Sequence, residues 1–269
     1  MILVTGASGQ LGHAILTLLS ERGTAARGSS RSSSARGPLV DFDDPASISF
    51  EGVATLVLVS AGEAEDDVVV ARHEAAIAAA ERDGVAHVVY TSLASEGDHL
   101  AFALAHRWTE RRLRESSLSW TILRNGLYAE LFGSLFGWDG SRLTSAFGGG
   151  ALAAVARADL AEAAAVVADR PERHVGRTYD LVGEPVTAND VATRLGVDLA
   201  DVSLHDKRVE LDAAGLKPFQ PAMLLSIFTS VRHGFLSASG SDLRLLLERE
   251  PRDAVQVATE AASAGRPNL

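Results

Sequence analysis

The sequence predicts an α/β protein with a doubly wound parallel sheet and a small, mostly helical C-terminal lobe. Up to Val182, short runs rich in β-branched and aromatic residues alternate with alanine-rich segments, as expected for a parallel sheet covered on both faces. Beyond Val182, short helical segments follow one another. The 269 residues suffice for one large domain, or for a medium domain with a smaller appendage.

The predicted elements begin with an apolar strand at residues 2–5 and an amphipathic helix at residues 10–22. Further runs typical of strands lie at residues 25–29, 39–41, 55–60, 87–91, 119–123 and 178–182. Helices are predicted between them at residues 65–83, 99–115 and 159–169. Asp159 is expected to cap the last of these at its N-terminus, and Pro171 follows its end.

The C-terminal lobe is predicted from five short helical segments, at residues 188–195, 206–214, 221–231, 241–248 and 252–263. We therefore expect a sheet domain at residues 1–184 and a lobe at residues 185–269, folded over the carboxyl edge of the sheet. The strongly apolar piece at residues 222–229 has two interpretations, core packing or a wall of a substrate cavity.

Composition excludes several classes of function. A formal net charge of -10 argues against nucleic acid, since phosphate binding needs a positive surface. The absence of cysteine removes disulfides, thiolate metal sites and cysteine nucleophiles, and it suits a reducing compartment. No apolar stretch reaches the roughly 18 residues of a membrane helix, and the N-terminus lacks signal-peptide features. We predict a cytoplasmic protein with no membrane partner and no metal.

A glycine-rich turn joins the first strand to the first helix. Gly6, Gly9 and Gly12 are spaced G-x-x-G-x-x-G, where they permit a tight turn, a close approach of a ligand and close packing of helix on strand. The first amides of a helix lack intrahelical acceptors, and the helix dipole favours an anion there. This order of strand, glycines and helix predicts a Rossmann-type nucleotide site.

The residues after the second strand indicate which dinucleotide is bound. An NAD site usually carries Asp or Glu about 20 residues beyond the turn, but no acidic residue stands between Glu21 and Asp41. That interval carries Arg27, Arg31 and Arg36 among serines, which suits a 2′-phosphate. The sequence therefore favours NADP(H) over NAD(H), with Arg31 as the main candidate. A Ser/Arg surface loop is the alternative interpretation.

Several stretches together resemble a known family: TGASGQLG, VVYTSL, SWTILRNGLYAE, ARADLAEAAA and GRTYDLVG. They are similar to the NmrA-like branch of atypical short-chain dehydrogenases/reductases, and within it to NAD(P)H:quinone oxidoreductases of type 2. The likeness runs nearly end to end and fades in the last 60 or so residues. It implies a Rossmann domain, a smaller C-terminal lobe and a cleft between them.

The resemblance also implies roles for matching positions. The turn residues that would line the pyrophosphate are Gly6, Ala7, Ser8, Gly9, Gln10 and Leu11, with Gly12 behind them. Arg31 would take the adenosine end, with Asp41 and Phe42 near the adenine. The residues expected around the nicotinamide and its ribose are Val59, Ser60, Ala61, Tyr90, Thr91 and Ser92. Asn125, Gly126 and Tyr128 would shape the substrate side, and we include Asn125 among the cofactor-binding residues.

The proton relay of typical short-chain dehydrogenases is missing. Such enzymes carry Tyr-x-x-x-Lys, in which the phenol passes a proton to a carbonyl oxygen. None of the three tyrosines has Lys four residues later, and Phe102 and His106 stand where the pair would be. A quinone does not need the relay, because its hydroquinone anion can take a proton from solvent or from His106. His106 could equally be a surface or capping histidine.

Two tyrosines are further candidates at the substrate side. Tyr128 lies just past a strand whose carboxyl end faces the expected ligand crevice, so its phenol could bond a quinone oxygen. Tyr90 could stack on a ring. Either residue could instead be packed under the C-terminal lobe.

Two functions remain in competition. The first is an NADPH-dependent reductase that transfers hydride to quinones or similar electron-poor small molecules, with His106 and Tyr128 as catalytic candidates. The second is a non-catalytic redox sensor that binds NADP(H) and regulates a protein partner. A tailoring reductase for an aromatic metabolite would share the first mechanism. The alanine-rich helix around residues 71–80 could pack a homodimer or the core.

Overall fold

The computed structural model describes residues 1–29, 40–61 and 64–266. The first half contributes β1 (Ile2–Val4), α1 (Gln10–Glu21), β2 (Ala26–Gly28), β3 (Thr55–Val59), α2 (Asp66–Arg82), β4 (His87–Leu93), α3 (Ala103–Arg114) and β5 (Ser119–Asn125). The second half contributes α4 (Ala129–Ser134), β6 (Gly137–Asp139), β7 (Arg142–Ser145), β8 (Ala151–Ala153), α5 (Arg157–Asp169), β9 (Arg177–Leu181), β10 (Pro185–Thr187), α6 (Ala188–Leu195), β11 (Leu199–Asp201), α7 (Leu204–Ala213), α8 (Gln220–Arg232), α9 (Asp242–Leu247) and α10 (Ala254–Ala264).

The main sheet confirms the predicted fold class. Within the described residues it has six parallel strands in the order β2-β1-β3-β4-β5-β9. Helices α1 and α5 pack together on one face, and α2 and α3 pack together on the other. Strand β4 contributes side chains to the cores on both faces of the sheet, because neighbouring side chains of a strand point to opposite faces. Val89 joins the α1/α5 core, whereas Val88 and Tyr90 join the α2/α3 core.

One predicted strand is not found. Of residues 39–41, Leu39 lies outside the described residues, and Val40 and Asp41 have no strand structure. Val40 is nevertheless buried, in the core layer that contains Phe50. Its burial accounts for the apolar signal that the sequence gives here.

The second lobe is formed by two separate stretches of chain. Strand β7 pairs with β6 and with β11, and β8 pairs with β10, so residues before β9 pair with residues after it. Helix α4 packs against α10. The core of the lobe includes Phe132, Phe147 and Phe228, with ring centroids 4.6 and 4.7 Å apart in successive pairs. The sequence predicted the helices of this lobe beyond residue 185, but it missed α4 and all of the three- and four-residue strands.

Asp159 does not cap its helix as predicted. Helix α5 begins at Arg157 after the N-cap Ala156, so Asp159 already lies in its first turn. Its fully buried carboxylate pairs with Arg249 and Arg252 and accepts the backbone N–H of Arg252 at 2.7 Å. This contact fixes the segment between α9 and α10 to the sheet domain.

Within the part of the chain that the structure describes, no helix is both long and apolar enough to cross a membrane. The same residues contain no group of three or more His, Asp or Glu side chains that could hold a metal ion.

Candidate functional site

The glycine turn has the geometry of an anion site. Gly6 has φ +61°, a conformation that side-chain-bearing residues rarely adopt, and its carbonyl accepts the N–H of Gly9 at 2.9 Å. A Cβ at Gly12 would lie 2.4 Å from the Gly6 oxygen, so only glycine allows this approach. The N-cap Gly9 offers no side-chain acceptor, which leaves the first amides of α1 for an external anion.

A first cavity of about 540 Å³ opens over this turn. The predicted residues that line it are Gly6, Ser8, Gly9, Gln10, Leu11, Gly12, Asp41, Phe42, Val59, Ser60, Ala61 and Tyr128. Ala7 is not among them, because its side chain packs against Gly28, where a Cβ would come within 2.5 Å of it. Arg31 lies outside the described residues, so its role stays a prediction.

Two arginines that the sequence did not single out also line the first cavity. Arg72 makes a bidentate ion pair with Asp43, at 2.7 and 2.9 Å, and donates to the carbonyl of Ala61 at 3.3 Å. Arg157 stacks over the Tyr128 ring at 4.7 Å, and its nearest ion-pair partner, Glu130, is 3.8 Å away. Arg157 is therefore the more available of these two cations for an anionic ligand.

A second cavity of about 360 Å³ adjoins the first. Leu11, Val59, Ser60 and Tyr128 line both cavities, and Val59 and Ser60 stand at the carboxyl end of β3. The far wall is apolar and comes from α8 and the neighbouring segments: Phe102, Leu127, Leu131, Met223, Leu224 and Ile227. The 222–229 segment therefore lines a cavity and also packs in the core, since Phe228 is buried in the core of the lobe.

The second cavity also contains most of the predicted nicotinamide and substrate residues, namely Thr91, Ser92, Asn125, Gly126, Tyr128 and His106. Thr91 accepts the N–H of Ser60 at 3.1 Å, which joins the ends of β4 and β3. The buried Oδ1 atom of Asn125 has no hydrogen-bond partner within the described residues. A buried acceptor without a partner is costly, so a ligand donor here would relieve a penalty of about 1–3 kcal/mol.

Tyr90 lies elsewhere. Its ring is fully buried in the α2/α3 core and lines neither cavity, so it is not placed to stack on a ligand. Its hydroxyl lies 2.8 Å from Nδ1 of His106. Burial raises the pKa of Tyr90 well above its usual value. The phenol therefore keeps its proton at neutral pH.

His106 lines the second cavity, but its imidazole is neutral and not protonated as a proton donor would be. Burial, with a smaller contribution from Arg107, lowers the pKa of His106 to about 4. The imidazole is therefore neutral at physiological pH, so it does not carry the proton that the sequence predicts it to supply. A neutral imidazole carries one N–H donor and one acceptor, and the hydrogen bonds around it decide which nitrogen does which.

Behind this site lies a buried ionic cluster centred on Glu110 of α3. Its carboxylate accepts from Ser92 at 2.7 Å and from Arg124 at 2.6 and 2.9 Å, and it pairs with Arg107 and Arg114. Burial alone would raise the pKa of Glu110, but the hydrogen bonds and charges of Arg124, Ser92 and Arg107 outweigh it and lower the pKa to about 2. The cluster holds Ser92 in place beneath the second cavity.

Comparisons with known proteins agree with this geometry. A family model described as NAD(P)H-binding matches residues 6–171. Quinone oxidoreductase 2 of Escherichia coli (strain K12) is 32% identical over 235 residues, which are 81% of this chain and 81% of that protein.

Two solved structures are similar over almost the whole chain. Triphenylmethane reductase of Citrobacter sp., complexed with NADP(H), superposes with a TM-score of 0.86 and 26% identity, covering 97% of this chain and 100% of its own. The NADPH-dependent quinone oxidoreductase QOR2 of Escherichia coli, complexed with NADPH, gives a TM-score of 0.84 and 27% identity, covering 97% and 99%.

Proposed function

Because the chain belongs to the NAD(P)H-binding, NmrA-like family of atypical short-chain dehydrogenases/reductases, we propose that it is an NADPH-dependent reductase of quinones or similar electron-poor small molecules. The observation that carries this proposal is the apolar second cavity, which adjoins the first cavity where Val59, Ser60 and Tyr128 line both. A planar, apolar acceptor has room there beside a dinucleotide.

The residues of the first cavity fit NADP(H). The open amides of α1 and the close approach at Gly12 suit a diphosphate, and Arg157 faces the same space as the turn. The unpartnered Oδ1 of Asn125 suits an amide or hydroxyl donor of the bound molecules. NADP(H) and NADPH occupy the two similar structures described above, which supports the phosphorylated cofactor.

The cofactor is the reductant, and the residues of the chain bind the acceptor and shield it from water. When bound, NADPH supplies a hydride, so that a quinone becomes a hydroquinone monoanion and one proton from solvent completes the hydroquinone. The side chains of Phe102, Leu224 and Ile227 exclude water from one side of the second cavity. On the other side, Ser92 and His106 offer polar groups to the acceptor. No Tyr-x-x-x-Lys relay is required, because the hydroquinone anion is stabilised by resonance.

The test is NADPH oxidation by the purified protein with a panel that includes simple quinones and a cationic triphenylmethane dye. We expect a loss of absorbance at the nicotinamide band that depends on both the acceptor and the protein. NADPH binding without oxidation of any acceptor would contradict the proposal.

The missing relay suits the sensor hypothesis, but the comparisons do not support it, because the similar proteins reported above are reductases. It would require different affinities for NADP⁺ and NADPH, since a ligand shifts a population only by differential binding. The cytoplasmic location, a homodimer and the boundary at residue 184 also stay predictions.

A further inference from the structure

The buried hydrogen bonds behind the second cavity determine which nitrogen of each histidine carries the proton. His73 of α2 accepts the backbone N–H of Ala61 at Nε2, over 3.1 Å. That nitrogen is therefore unprotonated, and the proton of His73 lies on Nδ1, 2.8 Å from the hydroxyl oxygen of Thr109. Burial lowers the pKa of His73 to about 3, in keeping with a neutral ring.

The hydroxyl of Thr109 has no proton left to donate to Tyr90. It donates to the carbonyl of Ala105 at 2.7 Å and accepts from His73. Tyr90 lies edge-on to His73, with ring centroids 5.5 Å apart, and its polar neighbours are Thr109, Ser60 and His106. Because Tyr90 keeps its proton, it needs an acceptor, and Nδ1 of His106 lies 2.8 Å away.

This leaves the proton of His106 on Nε2. That nitrogen has no hydrogen-bond partner within residues 1–29, 40–61 and 64–266, but it is not fully buried. Since His106 lines the second cavity, the free N–H is accessible to a ligand there. The charged or titratable groups around the ring are Arg107 and Glu110 on its own helix, Tyr90 on β4 and His73 on α2.

We infer that Tyr90 is a positioning residue that holds His106 in the neutral Nε2–H tautomer, so that His106 presents a hydrogen-bond donor to an oxygen in the second cavity. This inference rests on the proposed function for the identity of that oxygen, a quinone or carbonyl oxygen that gains negative charge during reduction. A donor aimed at developing charge favours such acceptors over molecules without an oxygen at this place. The donor keeps its proton, and solvent supplies the proton of the product.

The tautomer can be tested without turnover, by nitrogen NMR of protein labelled in histidine, with His106→Gln used to assign the signal. We expect a protonated Nε2 and an unprotonated Nδ1 that stay unchanged between about pH 5.5 and 8. A protonated Nδ1, or titration of the ring within that range, overturns the inference. A protonated Nδ1 would mean that Tyr90 donates to Ser60 or Thr109 instead.

Tyr90→Phe deletes the hydroxyl and keeps the ring in the core. We expect it to raise the share of the Nδ1–H tautomer of His106 and to lower kcat about tenfold, with NADPH affinity unchanged as evidence of an intact fold. The matched control is Tyr179→Phe, which removes the hydroxyl that lies 2.8 Å from Nδ1 of His174, a pair that lines neither cavity. Equal losses in both variants overturn the inference.

Substitutions of His106 separate a donor from a proton source. His106→Leu removes the donor, and we expect kcat to fall about 10²- to 10³-fold with little change in KM. His106→Gln can retain an N–H donor and should lose much less. A rate that falls above about pH 6.5 in the wild type, or a Gln variant as poor as Leu, overturns the inference. If the wild type reduces no acceptor, the proposed function fails, and the NMR result still decides the tautomer.

Discussion

Glu110 is the single residue whose charge we expect to matter most for stability. Its side chain is 1% exposed and binds Arg107, Arg114 and Arg124. Glu110→Gln removes the buried anion of Arg114 and Arg124 and leaves Arg107 only its exposed partner Asp98, which should lower the free energy of unfolding at pH 7 by about 3–5 kcal/mol, measured by urea denaturation. The matched control is Asp212→Asn, which breaks an exposed pair with Arg208 and should cost less than about 1 kcal/mol.

The same carboxylate gives the stability a defined pH dependence. The pKa of Glu110 is lowered to about 2 in the folded state. Its contribution to the free energy of unfolding is therefore complete above the pKa of 4.5 in the unfolded chain, and it is lost as the pH falls toward 2. The difference between the wild type and Glu110→Gln should therefore shrink in unfolding curves taken at successively lower pH. A difference that is constant from pH 7 to pH 3 would contradict this assignment of the charge.

Arg157 is expected to bind the part of the cofactor that NADPH and NADH share. Its guanidinium lines the first cavity with the glycine turn, so Arg157→Gln should weaken both cofactors by a similar factor of about ten, measured by calorimetry. Arg208→Gln, on exposed α7, should change neither affinity. A loss confined to NADPH would assign Arg157 to the 2′-phosphate instead.

The sequence identified much of this site, but only what is local in the chain. The turn and the strand ends were found because glycine spacing and apolar runs mark them. Arg157 and Glu110 were missed because their partners come from distant segments, although the spacing of Arg107, Glu110 and Arg114 puts all three on one face of α3. Strand alternation explains why Tyr90 does not face a ligand: with Val88 it points from β4 toward α2 and α3.

At the scale of elements, the segment between α9 and α10 depends on α5. Asp159→Ala should lower the free energy of unfolding by about 3–5 kcal/mol, because Arg249 and Arg252 would lose a buried partner. Asp253→Ala offers a control in the same segment, since it removes an exposed ion pair with Arg194 and a helix cap and should cost only about 1 kcal/mol. Denaturation curves would measure both, and equal costs would argue against the buried anchor.

Element prediction succeeded where periodicity extends over many residues. The long helices and the strands of the main sheet show clear patterns, so their existence was predictable and their ends shifted by only a few residues. Strands β6, β8, β10 and β11 have three residues each, too few for a pattern to repeat. Distant segments pair with β8, β10 and β11, whereas β6 forms a hairpin with β7. The strand predicted at residues 39–41 is an error of the opposite kind, a strand predicted where none is found. Val40 is apolar because it is buried in the core, and an apolar residue in a loop gives the same sequence signal as one in a strand.

At the scale of the whole molecule, the second lobe controls the size of the second cavity. Leu224→Trp would place an indole in a space of about 360 Å³, so KM for bulky quinones should rise at least about tenfold while NADPH affinity stays unchanged. Leu245→Trp is the control, because Leu245 is 66% exposed on α9. Steady-state kinetics with quinones of increasing size would show the difference, and an equal response to all sizes would contradict it.

The pairing of β7 with β11 and of α4 with α10 has a consequence for biosynthesis. A chain leaving the ribosome has completed the first five strands of its main sheet well before the partners of residues 129–153 exist. The apolar side chains of α4 lack their packing partner α10 until more than a hundred further residues have been translated. During this interval the nascent chain exposes apolar surface, and a chaperone would bind there.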